Sequence, residues 1–175
     1  MDWYTSIFEL IDTRSFSNLW FWIALAVVWS SASHWVMGVP FDMVFRARRV
    51  GGRAEADLED IVRVNASRLI YIADTAGLVI LAMACFLLTM LAILGWGYAI
   101  EFAQAVFLLA FPLSCVGLLS LATARRLTET GEKGADLRRR LSRLRILIQM
   151  IGALAIFFTA LWGMYQNITL GTLSG

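Results

Sequence analysis

Charge is what this sequence lacks most. Only 16% of its 175 residues are Asp, Glu, Lys or Arg, against about 25% in ordinary soluble domains. Cysteine is down to two residues, which excludes a disulfide scaffold. Two prolines and 13 scattered glycines exclude a collagen-like repeat. A hydrophobic fraction of 59% excludes a disordered chain. What remains is a polypeptide too apolar for water, and the class that fits is a polytopic helical membrane protein.

The charges are also unevenly placed. No formal charge occurs from Ser15 to Phe41, from Phe102 to Ala124 or from Ile146 to Gly175, and Leu69 to Ile100 carries one, Asp74. A bilayer core needs about 20 apolar residues in a helix. The sequence therefore predicts an all-α fold with four transmembrane helices at 18–39, 69–94, 99–122 and 146–167. A β-barrel does not fit, because Leu78 to Ala84 is continuously apolar rather than alternating. The segment before the first apolar run holds Asp2, Glu9 and Asp12 against Arg14, the wrong balance for a cleaved signal peptide.

Basic residues set the orientation. Arg46, Arg48, Arg49, Arg53, Arg63 and Arg68 lie between the first two spans. Arg125, Arg126, Lys133, Arg138, Arg139, Arg140, Arg143 and Arg145 lie between the last two, and only Arg14 lies elsewhere. The positive-inside rule puts both loops in the cytoplasm and both termini on the periplasmic side, with the Gly95-Trp96-Gly97 turn. Trp3, Trp20, Trp22, Trp96 and Trp162 then collect at the outer interface and Trp35 at the inner one. Trp29 falls mid-span, against lipid or a partner.

Residues 1–13 place Trp3, Tyr4, Ile7, Phe8 and Ile11 on one helical face, which predicts an amphipathic helix lying in the outer interface. The two basic loops, 41–68 and 123–145, read as helical hairpins broken at Gly51-Gly52 and at Gly131 and Gly134. In the first, the helical pattern runs on past Pro40. Each extends the bundle by about 15 Å. Ala47-Arg48-Arg49 matches Ala124-Arg125-Arg126, and Ser67-Arg68-Leu69 matches Ser142-Arg143-Leu144. The pattern is that of two hairpins related by an axis along the membrane normal, or of two cytoplasmic helix ends under the same charge selection.

Ionisable residues inside spans are costly and mark candidate sites. His34 and Asp74 fall about 9 Å inside the cytoplasmic boundary, with Gln149 and Ser120 near the same layer. The four are read as a buried polar cluster, either a proton relay or ligand site, or an interhelical hydrogen bond. Glu101 opens the third span on the outer side, where Arg14 is its expected ion-pair partner. One histidine excludes a bis-histidine haem, leaving His34 only as a lone tetrapyrrole ligand. No metal site is expected: Cys85 and Cys115 sit singly in different spans, with no C-x-x-C. Pro112 interrupts the third span and frees the carbonyl of Leu108. Arg138, Arg139, Arg140, Arg143 and Arg145 lack interleaved aromatics and border a span, so they point to anionic lipid headgroups rather than nucleic acid.

Four blocks, Phe8–Trp20 (FELIDTRSFSNLW), Ala32–Val44 (ASHWVMGVPFDMV), Glu101–Pro112 (EFAQAVFLLAFP) and Ala160–Asn167 (ALWGMYQN), resemble a small group of alphaproteobacterial four-helix membrane proteins labelled "component of the SufBCD complex". The resemblance implies a bacterial inner-membrane location and brings no catalytic residues. The iron–sulfur work in that label calls for thiolates or scaffold surfaces, and both cysteines here lie within spans.

No catalytic constellation is present: no phosphate loop, nucleophile elbow, H-E-x-x-H or paired carboxylates. The expected function is therefore non-enzymatic: an accessory, stabilising or assembly subunit of a larger membrane complex, with an energy-transducing one suggested only by the bacterial setting. Small residues at Ala73/Gly77 and Gly152/Ala153 allow the close helix contacts this needs. The alternatives are a small proton-coupled transport or ligand-binding module using His34, Asp74 and Glu101, and a membrane enzyme without a known motif.

Overall fold

A computed structural model describes Phe16 and residues 18–171, with side chains to residue 168. The predicted interfacial helix at 1–13 and Arg14 lie outside the described residues. The described residues form five α-helices: α1 (Leu19–His34), α2 (Phe41–Val50), α3 (Arg53–Ala92), α4 (Glu101–Thr130) and α5 (Gly134–Gly171). A short π-helical turn, Ile93–Gly97, joins α3 to α4. α3, α4 and α5 are long and apolar enough to cross a membrane. α1 is apolar but has 16 residues, about 24 Å at 1.5 Å per residue.

The first predicted span, 18–39, is therefore too long at its inner end. Asn18 starts α1 as expected of an N-cap, its Oδ1 accepting from the Trp20 amide at 3.0 Å. The helix then stops at His34, and Trp35–Val36 (β1) pairs antiparallel with Val39–Pro40 (β2). Met37 and Gly38 link them with φ of 54° and 72°, the two positive values of a type I′ turn. Asn65 of α3 donates Nδ2–H to the Gly38 carbonyl at 3.0 Å and pins this hairpin. The helical pattern thus does not run on past Pro40. It stops and restarts at Phe41, and these two short strands interrupt an otherwise mostly helical set of described residues.

The described fully buried residues concentrate at the basic end. Val36, Val39, Phe41, Val44, Leu58, Val62, Ala124, Leu127, Leu141, Leu144 and Ile148 belong to one cluster. Their spacing explains it: Leu58, Val62 and Ala66 fall four apart, and Leu137, Leu141, Leu144 and Ile148 at four, three and four, each set forming one helical stripe. The apolar half of the molecule holds a smaller cluster of Leu25, Trp29 and Ala155 between α1 and α5. Trp29 is thus buried inside the chain, not against lipid. It fits because Gly152 has no side chain: a Cβ there would lie 2.7 Å from Trp29 Cε3.

The matched tripeptides sit at different distances from the turns of their hairpins. Gly51 closes the first four residues after Ala47, with its amide bonded to the Ala47 carbonyl. Gly131 closes the second seven residues after Ala124, with its amide bonded to Leu127. α4 runs unbroken where α1 and α2 are separated by β1 and β2. The matched tripeptides therefore occupy different positions relative to their turns, which favours common charge selection over duplication.

Gly152→Val is expected to destabilise the chain by about 1–3 kcal/mol through overpacking. Thermal unfolding in detergent, followed by tryptophan fluorescence, measures this, and adding Trp29→Leu should recover part of the loss. An unchanged midpoint for Gly152→Val would show that α1 does not pack on α5 at this point.

Candidate functional site

The polar side chains gather at the two ends of the helices. At the end formed by the π turn, Gln104 is buried, 3% exposed, on the first turns of α4. Its Nε2 donates to the Gly95 carbonyl at 2.7 Å, and its Oε1 accepts from Trp162 Nε1 at 2.9 Å and from Gln166 Nε2 at 2.7 Å. One amide thereby joins the turn, α4 and α5. Gly95 must be glycine, since a Cβ would stand 2.9 Å from Gln104 Cγ and 3.1 Å from its backbone nitrogen. Trp96 packs edge-on against Phe107 and lies 5.7 Å from the Trp162 ring, so these two tryptophans share one end, as the sequence predicts.

Glu101 stands beside this hub. Its Oε1 accepts from the backbone amide of Phe16 at 2.6 Å, and the Phe16 carbonyl accepts from Trp22 Nε1 at 3.1 Å. Phe16 itself packs against Gly163, where a Cβ would be 3.3 Å away. Glu101 thus ties the segment before α1 to α4 through a backbone donor. The expected Arg14–Glu101 pair lies outside the described residues. Gln104 and Gln166 were legible only as polar residues at one depth; the signal of a hub was the glutamine's spacing from Gly95 across a tight turn.

The predicted buried cluster of His34, Asp74, Gln149 and Ser120 is not assembled. His34, Asp74 and Gln149 are exposed and Ser120 is half-buried. Among the described residues no hydrogen bond or ion pair joins His34 to Asp74; His34 packs edge-on against Trp35, ring centres 5.8 Å apart. Asp74 Oδ1 instead accepts from Arg125 Nη2 at 3.0 Å. Helix geometry explains the choice. Side chains lean toward their own helix N-terminus. On antiparallel α3 and α4 that tilts Asp74 toward the basic end and Arg125 away from it, so the two meet. The pair sets Asp74 level with the first charge beyond the uncharged stretch of α4. With side chains 62% and 51% exposed, it contributes little to stability.

At the basic end the arginines divide into separate roles, so Arg138–Arg145 is not one uniform surface. Arg138 forms an ion pair with Glu55 of α3, and Glu59 Oε1 accepts from the Gly134 amide at 2.9 Å. Arg140 holds Glu132 with two parallel hydrogen bonds, Nε to Oε2 at 2.6 Å and Nη2 to Oε1. Arg139 approaches its exposed neighbour Asp136 at 3.7 Å. Arg145 lies with its guanidinium 4.1 Å above the Phe41 ring, and Arg143 is exposed. The acids Glu55, Glu59 and Glu132 were missed from the sequence because each lies on a different arm from its partner or across a glycine turn.

Arg140 holds the Glu132 carboxyl below its ordinary value of 4.5, chiefly through their hydrogen bond, and the same bond raises Arg140. Cys85 is exposed on α3 and Cys115 half-buried on α4. No group of three or more His, Cys, Asp or Glu residues is placed to hold a metal ion among the described residues. Pro112 lies inside an uninterrupted α4, beside an apolar groove of about 280 Å³ lined by Phe107, Leu108, Phe111 and Phe158. No family model, no curated protein and no solved structure matches the chain.

Two outcomes follow. Gln104→Leu leaves the Trp162 and Gln166 donors and the Gly95 carbonyl without partners, and each such loss costs about 1–3 kcal/mol. The expected result is a clearly lower unfolding midpoint with a shifted tryptophan emission; unchanged emission would mean that Trp162 is not held by this residue. The second concerns pH. A carboxyl lowered by folding contributes full stability above its ordinary value of 4.5. That contribution fades as pH falls through the lowered folded value. The raised Arg140 contributes throughout that range. The protection of the Gly131–Leu137 amides, taken relative to intrinsic exchange at each pH, should fall below about pH 4.5 in the parent chain, and Glu132→Gln should show the reduced protection already at neutral pH.

Proposed function

We propose that the chain is a four-span protein of a bacterial inner membrane, both termini periplasmic and both basic hairpins cytoplasmic. In this reading it serves as a non-enzymatic accessory, stabilising or assembly subunit of a larger membrane complex. One observation carries the reading: no residue of the most apolar 18-residue window of α3 is buried within the chain. A half-buried seam that includes Ile70, Ala73, Ala76, Gly77, Ala84, Leu88 and Leu91 faces its neighbours. Leu78, Val79, Ile80, Met83 and Phe86 are uncovered. Such a helix meets lipid or a transmembrane helix of another protein. The packing that fixes the chain lies at its ends, leaving the mid-span surfaces of α3 free for that second role.

The four-span count rests on α1 lying antiparallel along α5, with Phe16 opposite Gly163 and Trp29 opposite Gly152. With Phe16 just before α1 and Trp29 within it both held against α5, α1 runs alongside the apolar length of α5, which supports counting it as a span. The proton-coupled alternative draws no support from the geometry, since Asp74 is engaged by Arg125 and His34 by Trp35. The family resemblance stands as an expectation from the sequence.

Purification of the full chain under mild detergent tests the proposal. A stoichiometric protein partner should be retained, and tryptophan substitutions at Leu78, Val79 or Phe86 should weaken its retention at some positions. Recovery only as a monomer or homo-oligomer would overturn the reading. Reporter fusions at the C-terminus check the topology separately.

A further inference from the structure

Between α2 and the beginning of α5 lies a groove of about 330 Å³, lined by Phe41, Phe45, Arg48, Arg138, Arg139 and Ser142 among others. The two helices run antiparallel, Phe41 facing Arg145 and Arg48 sharing the groove with Arg138. Its cationic groups are not equally free. Arg138 is neutralised by Glu55. Arg139 has only a 3.7 Å approach to Asp136, both about three-quarters exposed, a pair that water screens heavily. Among the described residues no carboxylate lies within ion-pair distance of Arg48. The groove therefore carries an excess of positive charge, from arginines that different hairpins supply, beside a serine hydroxyl.

Depth narrows what fits. Arg145 is the last charge before the uncharged stretch Ile146–Gly175. Its guanidinium covers Phe41 at one end of the groove, and its Nε is buried with no hydrogen-bond partner. Phe45 stands on the rim, 52% exposed, and Ile146 and Met150, within the next two turns of α5 after Arg145, are uncovered. The groove opens at the edge of the apolar layer and climbs away from it, with aromatic surface at the low end and arginines above.

We propose that this groove seats the phosphate of an anionic phospholipid, gripped by Arg48 and Arg139 with the Ser142 hydroxyl, its glycerol resting on the exposed Phe45. The shared chemistry is a phosphate ester anion; the position at the apolar edge selects the lipid over a free phosphate. The proposal rests on reading the basic end as the headgroup-facing end. It replaces a patch along one helix by a site built between two, with Arg48 as the residue the Arg138–Arg145 run does not contain.

The test is native mass spectrometry of the full chain in detergent, titrated with phosphatidylglycerol or phosphatidylcholine. The parent chain should retain phosphatidylglycerol selectively, and Arg48→Gln with Arg139→Gln should weaken that retention roughly tenfold or more. A control of equal charge change, Arg63→Gln with Arg126→Gln, should stay within about twofold of the parent. Arg48→Gln alone, which removes no ion pair of the fold, gives the same direction should the double variant be unstable. Equal retention of both lipids, or equal loss in both double variants, would overturn the site. Displacement of the lipid by millimolar inorganic phosphate would overturn the lipid as its occupant. Lipid retention is read on the isolated chain, so it is independent of whether a protein partner copurifies.

Discussion

Burial of apolar surface holds helices together only where water is the alternative. In lipid a leucine gains little by moving from acyl chains to a protein neighbour. The distribution of the core follows this constraint. The main cluster, from Val36 to Ile148, lies where the helices carry arginines and glutamates on their other faces. The apolar lengths of α3 and α4 bury almost nothing. The chain is clamped at the wet end by hydrophobic packing and at the other by hydrogen bonds through Gln104. Between these clamps Trp29 against Gly152, with Leu25 and Ala155 beside them, joins α1 to α5.

This division explains what the sequence made legible. The absence of charge over long stretches locates α3, α4 and α5, because a hydropathy run is a property of one segment. The stripes Leu58/Val62/Ala66 and Leu137/Leu141/Leu144 announce the helical arms for the same reason. Partner choice was illegible where it depends on how two segments meet. Depth alone pairs Asp74 with His34, but the tilt of side chains on antiparallel helices delivers it to Arg125. A run of arginines reads as one surface until Glu55 and Glu132 take Arg138 and Arg140 out of it.

Glycine carries more of the fold than its number suggests, at two places in particular. Gly95 and Gly152 each admit a larger residue, Gln104 and Trp29, against the backbone. The first closes the turn between α3 and α4, the second joins α1 to α5 across most of the chain, and both fail with a single methyl group. Small residues here receive specific side chains within the chain as well as offering smooth surfaces for helices to approach.

The Trp35–Pro40 hairpin has a consequence of a different kind. A helix continued through those six residues would have advanced about 9 Å and kept α1 and α2 in one rotational phase. The hairpin cancels that advance and frees the phase. Phe41, Val44 and Ala47 can turn to the arms while Leu25 and Trp29 turn to α5. It acts as a phase-resetting joint between the apolar half of the molecule and its charged end, latched by the bond from Asn65 to Gly38.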